Sequence, residues 1–177
     1  QNGPHPLPLS FAQQRLWFVD QFGPRQSLYN VPSALRLEGP LDVRALQKSL
    51  GAIVERHEIL RTTYGFQNGH PVQEIEPATS VPLPVVDLRH LHNGEREETL
   101  QAALEAEAAR PFDLGNDDML RARIFQLGAE DHVLFINLHH ITCDEWSLDI
   151  FFRELAHFYQ GASSSRPIGL AELPIQY

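Results

Sequence analysis

The sequence has no run of basic residues and no long apolar stretch, and these absences restrict what the chain does. It carries 23 acidic against 14 basic side chains, the basic ones scattered, and its formal net charge is −9. Such a surface repels a phosphate backbone, which argues against nucleic acid as a partner. No apolar stretch approaches the roughly 18 residues of a membrane-spanning helix, and the N-terminus lacks the regions of a signal peptide. We therefore expect a cytoplasmic protein with no membrane partner.

Cysteine is almost absent from the chain. Cys143 is the only one, so no disulfide can form within the chain. Asp144 and Glu145 follow it, and their negative charges raise the pKa of the thiol. We predict that Cys143 is a small buried hydrophobe and not a nucleophile.

The apolar periodicity predicts one domain of 177 residues in which helices and strands alternate with hairpins. Predicted helices cover 11–22, a segment beginning near Asp42, 95–110, and a last segment with the stripe Leu148, Phe151, Phe152, Leu155 and Phe158. Predicted strands cover 29–37, 60–66, 71–75, 120–124 and 133–138. Asn68-Gly69 predicts a tight hairpin turn, and the last two strands are expected to pair as a second hairpin. Residues 163–165 are predicted to form a loop.

The segment from His139 to Trp146 places two imidazoles and two carboxylates between a buried strand and an amphipathic helix. Successive side chains of a strand point to opposite faces, so only one of His139 and His140 can face a given cleft. This argues against a metal site, because His140 and Asp144 supply at most two ligands. A single histidine with a carboxylate four residues on suits a general base near neutral pH. The alternative is a half-buried core histidine without a chemical role.

Several blocks, in order along the chain, resemble the condensation domain of nonribosomal peptide synthetases, specifically its N-terminal lobe. The blocks are Ser10 to Phe18, Arg56 to Thr63, Pro111 to Leu114 with Leu120 to Ala122, and His139 to Trp146, which is similar to the family's His-His-x-x-x-Asp-Gly motif. The resemblance runs from about Leu7 to the end of the chain. The opening block and the Arg-His-Glu block are its most specific parts.

The resemblance implies an α+β fold, a two-layer αβ sandwich of the chloramphenicol acetyltransferase type. Its sheet is expected to be mixed and largely antiparallel, with helices on one face. Residues 1–8 would be an extended lead-in or linker, and residues 9–177 the N-terminal lobe, with the second lobe absent from this chain. The family's active site lies in a tunnel between two lobes, so we expect the isolated lobe to be inactive and to expose an apolar face.

The resemblance also implies an activity and partners. Condensation domains join a donor acyl or peptidyl group to an acceptor amine, both held as thioesters on the phosphopantetheine arms of carrier domains. Partners would be the upstream and downstream peptidyl carrier domains, an adjacent adenylation domain and the missing C-terminal lobe; no cofactor would be bound intrinsically. The first two blocks most resemble the subtype that joins an L-configured donor to an L-configured acceptor. An enzyme of this kind is an amide-forming acyltransferase.

Site residues follow from the same resemblance. His140 would face the tunnel, and either accept the proton of the acceptor amine or position the substrates. Asp144 either interacts with the imidazole or shapes the turn by capping the helix and pairing with an arginine, and the resemblance favours the second role. Arg61 and Arg15 are candidate partners, unless the partner lies in the missing lobe. His139 is expected to be structural, hydrogen-bonded behind the strand.

Glu145 departs from the pattern, because the family has glycine at this position. Glutamate there adds bulk and negative charge, which would raise the pKa of His140 and narrow the route to it unless the side chain points to solvent. This leaves a second hypothesis open, a non-catalytic condensation-like module that recruits carrier domains or a tailoring enzyme. A third is a free-standing acyltransferase that uses a coenzyme A thioester and assembles as a trimer.

Overall fold

The computed structural model describes residues 7–22, 27–164, 170–171 and 173–176. The strands are β1 (Leu7–Pro8), β2 (Asn30–Glu38), β3 (Thr62–Gln67), β4 (His70–Ile75), β5 (Val85–Asp87), β6 (Leu120–Gln126) and β7 (Asp131–His139). The helices are α1 (Phe11–Phe22), α2 (Val43–Arg56), α3 (Asn93–Ala109) and α4 (Glu145–Ser163), with short 3-10 turns at Ser27–Tyr29 and Glu58–Arg61. No helix within the described residues is apolar over a length that would cross a membrane.

The strands form two sheets. The larger has the order β2-β7-β6-β5, antiparallel except for the parallel pair of β5 and β6, and the smaller has the antiparallel order β1-β4-β3. The predicted hairpin between β3 and β4 is confirmed, with φ of 50° at Asn68 and 84° at Gly69, the positive angles that a tight two-residue turn requires. The predicted pairing of β6 with β7 is also confirmed. One mixed, largely antiparallel sheet, one antiparallel sheet and the four helices of the described residues agree with the expected α+β class.

Strand β7 lies at the centre of the larger sheet, and residues 132–139 are all buried. Leu134, Ile136 and Leu138 pack against α2 and α4 on one face, whereas Val133 and Phe135 pack with residues of α3 on the other. The sequence interpretation placed all helices on one face of the sheet. This is correct for α2 and α4, but α3 covers the opposite face. A strand that is apolar on both faces needs cover on both, which is the physical reason for this arrangement.

Two segments near the ends differ from the sequence interpretation. Of the expected lead-in 1–8, residues 1–6 lie outside the described residues, but Leu7 and Pro8 pair with Val72 and Gln73 of β4. Ser163 is the last residue of α4 and Ser164 is its C-cap, so the predicted serine loop is wrong at these two positions. Ser165 lies outside the described residues. The Ser164 hydroxyl donates to the Gln160 carbonyl, which lets serine close the helix.

Helix α1 begins at a reciprocal cap and packs beside the small sheet. The Gln13 amide donates to Ser10 Oγ (3.3 Å), and the Ser10 amide donates to Gln13 Oε1 (2.8 Å). Leu16 and Trp17 then pack against a cluster that includes Tyr64 and Ile141. Ile141 directly follows His140, so this packing places α1 beside the histidine motif.

The outer side of α1 carries exposed aromatic side chains. Phe11 is 91% and Phe22 is 77% exposed, and the Phe18 and Phe22 rings lie 4.2 Å apart between centroids. Phe66 of β3 is also exposed and stacks on Trp17. Such a face agrees with the expectation that the chain exposes apolar surface.

Candidate active site

Main-chain hydrogen bonds shape the turn between β7 and α4. The His140 amide donates to the Tyr29 carbonyl at 2.8 Å, which fastens the turn to the start of β2. The carbonyl of His139 accepts from the Thr142 amide (2.9 Å) and from the Thr142 hydroxyl (2.8 Å). The chain therefore reverses tightly just after His140, and the position of His140 is set by backbone geometry.

His139 points away from solvent and is only 3% exposed. Its Nδ1 accepts a hydrogen bond from the Ile141 amide at 3.1 Å, so the ring is neutral with its proton on Nε2. The Phe112 ring packs edge-on against the imidazole of His139, with 5.8 Å between the two ring centroids. Burial, with a smaller contribution from the charge of His140, lowers the pKa of His139 to about 4. One histidine of the pair thus faces the interior, as strand geometry predicts.

Acidification is expected to destabilise the fold through His139. Below pH 6.5 the unfolded chain binds a proton at this residue, whereas the folded chain, with a pKa of about 4, does not. Stability therefore falls as the pH drops from about 6.5 to about 4, by on the order of 3 kcal/mol at this site. Urea unfolding across this range would measure the slope. His139→Asn lacks the titrating group and should show a shallower slope; equal slopes would contradict the prediction.

His140 is exposed and lines a cleft of about 540 Å³. One wall is α1 and the other is the turn with the start of α4. The side chains are mainly apolar, with a few polar groups, which suits an apolar or amide-bearing chain with a reactive group. The lining residues are Ala12, Arg15, Leu16, Val19, Tyr29, His57, Ile59, Leu60, Leu138, His140, Ile141, Thr142, Cys143, Asp144, Ser147, Ile150 and Phe151.

Asp144 caps α4. Its Oδ1 accepts from the Ser147 amide (2.8 Å) and the Ser147 hydroxyl (2.6 Å), and these bonds lower the pKa of the carboxyl. The expected pairing with an arginine is not found within the described residues. Arg61 instead donates to Glu58 Oε1 (3.3 Å) and to the Glu76 carbonyl, and Arg15 lines the cleft without an ion pair to Asp144. The cap joins residues three positions apart and therefore needs no alignment of distant elements, whereas a pair with Arg61 or Arg15 would.

Glu145 is the first residue of α4, and its side chain is exposed and does not line the cleft. Among the described non-glycine residues only Asn68 has a positive φ, so the backbone at position 145 does not need glycine. A carboxylate in the first turn also interacts favourably with the helix dipole. Of the two alternatives, the described residues agree with an exposed Glu145 that does not narrow the route to His140.

Cys143 is buried behind the turn, and its thiol lies 3.6 Å from the His139 carbonyl. Burial and the charge of Asp144 raise its pKa to about 12. The thiol therefore stays protonated and is no nucleophile, as predicted. Within the part of the chain that the structure describes, no cluster of three or more histidine, cysteine or carboxylate side chains has the arrangement of a metal site.

His57 is a cleft residue that the sequence interpretation did not assign a role. Its Nε2 lies 2.7 Å from Glu154 Oε2, and the other oxygen of Glu154 accepts from Arg56 Nε at 3.1 Å. These bonds connect the end of α2 to α4. The block Arg56-His57-Glu58 is part of the family resemblance, but nothing in the sequence pattern points to a partner 97 residues further on.

A model of the family described as Condensation domain matches residues 5–177. The chain belongs to the condensation domain family. Among its relatives is a component of the linear gramicidin synthase of Brevibacillus parabrevis, 48% identical over 171 residues, which are 97% of this chain and 2% of that protein. This condensation domain chain therefore spans a small part of the curated relatives it matches.

Solved structures with the same fold include the complex of the X-domain and OxyB from teicoplanin biosynthesis, at 34% identity and a TM-score of 0.86. The match covers 99% of this chain and 37% of that one. The first condensation domain of the calcium-dependent antibiotic synthetase is 27% identical with a TM-score of 0.84, covering 94% of this chain and 40% of that one. The expected condensation-domain fold is confirmed.

Proposed function

We propose that this condensation domain forms an amide bond between a donor acyl or peptidyl thioester and the amine of an aminoacyl acceptor, both carried on phosphopantetheine arms. The observation that carries the proposal is the position of His140, exposed in the cleft at the β7–α4 turn while the adjacent His139 is buried and neutral. The matching peptide synthetases support amide formation as the reaction class.

His140 handles the proton of this reaction. The acceptor nitrogen attacks the thioester carbonyl, a C–N bond forms, and the C–S bond breaks as the tetrahedral intermediate collapses. The nitrogen loses one proton to the imidazole of His140, which passes it to the departing thiolate sulfur. The cleft walls hold the two arms in line, so that effective molarity supplies a further part of the rate.

The partners follow from this activity. The upstream and downstream peptidyl carrier domains deliver the substrates, an adenylation domain loads them, and a C-terminal lobe completes the tunnel. This chain covers 37% and 40% of the two solved relatives, which supports a second lobe. The exposed aromatic face of α1 supports a docking role for this surface. The isolated chain is inactive in this proposal, and the donor and acceptor are both L-configured.

The test is product formation by the full-length protein that contains this chain, with loaded donor and acceptor carriers and detection by mass spectrometry. L- and D-configured donors offered in parallel test the subtype. Product with L-donors, and none from the 177-residue chain alone, supports the proposal. Absence of product from the full-length protein with every donor would overturn it.

A second candidate function is recruitment without catalysis. The specific observation in its favour is the 34% identity with the X-domain that was solved in complex with OxyB. In this case the cleft and the exposed faces bind a carrier domain or a tailoring enzyme, and Glu145 in place of the family's glycine accompanies the loss of catalysis.

Glu145→Gly separates the two candidates. We expect the substitution to change the rate of product formation by no more than about twofold, because the side chain is exposed and does not line the cleft. The measurement is the mass-spectrometric assay on the full-length protein. An increase of about tenfold or more would contradict this and show that glutamate blocks the reaction. No product with or without the substitution would favour recruitment.

A further inference from the structure

The side of α1 that faces the cleft is apolar except for one cation. Ala12, Arg15, Leu16 and Val19 all line the cleft, at the spacing of a single helix face. Among the described residues that line the cleft, Arg15 is the only lysine or arginine.

Arg15 has no carboxylate partner within the described residues, although arginines elsewhere do. Among the described residues, six arginines form ion pairs with aspartate or glutamate: Arg36, Arg56, Arg61, Arg89, Arg121 and Arg123. Asp144 lines the same cleft, but it is engaged with Ser147. The Arg15 guanidinium donates no hydrogen bond to any residue that the structure describes, so its donors are available to a ligand.

Arg15 also lies where the cleft meets the outside. It lines a second, more open cavity of about 760 Å³, together with Phe11, Phe18, Phe22 and Phe66. Because both cavities share Arg15, its side chain lies at the boundary between the histidine cleft and the exposed aromatic face. A ligand that reaches His140 from this side passes the guanidinium.

We propose that Arg15 binds the phosphate of the phosphopantetheine arm whose thioester reaches His140. This rests on the proposed function, since the arm brings a thioester at one end and a phosphate at the other. The apolar residues of α1 contact the middle of the arm, and a guanidinium offers paired N–H donors that match phosphate oxygens. Arg15 is thus a binding residue for the carrier arm, distinct from the proton-handling His140.

Binding to the full-length protein tests this without catalysis. We expect 4′-phosphopantetheine to bind about three to ten times tighter than pantetheine, which lacks the phosphate, at low ionic strength. Arg15→Gln should bring the two affinities close together, and Arg15→Lys should keep part of the difference. Arg44→Gln, an exposed arginine of α2 outside the cleft, is the matched control and should keep all of it. Calorimetric titration gives both affinities.

The outcomes separate this inference from the proposed function. Equal affinities in the parent protein, or a preference that survives Arg15→Gln, would overturn the role of Arg15 even if product forms. If the preference for 4′-phosphopantetheine over pantetheine is lost only in Arg15→Gln, the role of Arg15 is supported even if no product is seen. Only the proposed amide formation would then fail.

A kinetic experiment identifies whether the phosphate comes from a carrier domain or from coenzyme A. Thioesters on a carrier domain and on coenzyme A are compared as donors and as acceptors. With carrier substrates we expect Arg15→Gln to raise the KM of either the donor or the acceptor about three- to tenfold, and to leave kcat within about twofold of the parent value. The same effect with coenzyme A thioesters alone would place Arg15 on that ligand and exclude the carrier arm. An effect on kcat alone would contradict a binding role.

Discussion

Product formation is expected to fall by about 10²- to 10⁴-fold when His140 is replaced by alanine in the full-length protein. His140 is the exposed histidine of the motif and lines the cleft, whereas His139 is buried and His57 is bonded to Glu154. Without the imidazole, the nitrogen of the intermediate has no positioned group that accepts its proton. The rate is measured by mass spectrometry with loaded carriers, at saturating and at low substrate concentration.

The size of the loss distinguishes two roles of the imidazole. A loss of less than about tenfold would contradict proton acceptance and favour positioning by His140, with orientation of the two arms supplying the rate. His140→Gln refines this, because the amide can hydrogen-bond to a substrate but cannot accept a proton near neutral pH. His90→Ala, an exposed histidine outside the cleft, is the control and should have no effect.

Replacing Ile136 by alanine is expected to destabilise the chain by about 3 to 4 kcal/mol. Ile136 is fully buried on the central strand β7, opposite Ser33 of β2 and Ala122 of β6, and it packs in the cluster that α2 and α4 cover. Truncation leaves a cavity that the neighbouring strands cannot fill without breaking their hydrogen bonds. Urea unfolding followed by circular dichroism measures the change.

Two further variants test the cause of this loss. Ile136→Val removes a single methylene and should cost about 1 kcal/mol. Ile175→Ala removes a side chain that is 82% exposed and should change stability by less than about 0.5 kcal/mol. A loss below about 1 kcal/mol for Ile136→Ala would mean that the core relaxes around the cavity.

The sequence by itself determined the features that depend on neighbouring residues. The turn at Asn68 and Gly69 and the caps at Ser10 and Asp144 follow from local backbone preferences and short-range hydrogen bonds. The burial of β7 follows from its apolar run. The alternation of side chains on a strand was enough to predict that only one of the two histidines can face the cleft, and the family resemblance indicated that it is His140.

Only the tertiary structure decided which distant residues meet. The pair of His57 and Glu154, the pairing of Leu7 and Pro8 with β4, and the place of Arg15 on the cleft wall join segments far apart in sequence. For the same reason, the sequence offered Arg61 and Arg15 only as candidate partners of Asp144, and neither pairs with it within the described residues. Periodicity shows that a side chain faces a core or solvent, but not which other element lies opposite, because that depends on how the elements pack together.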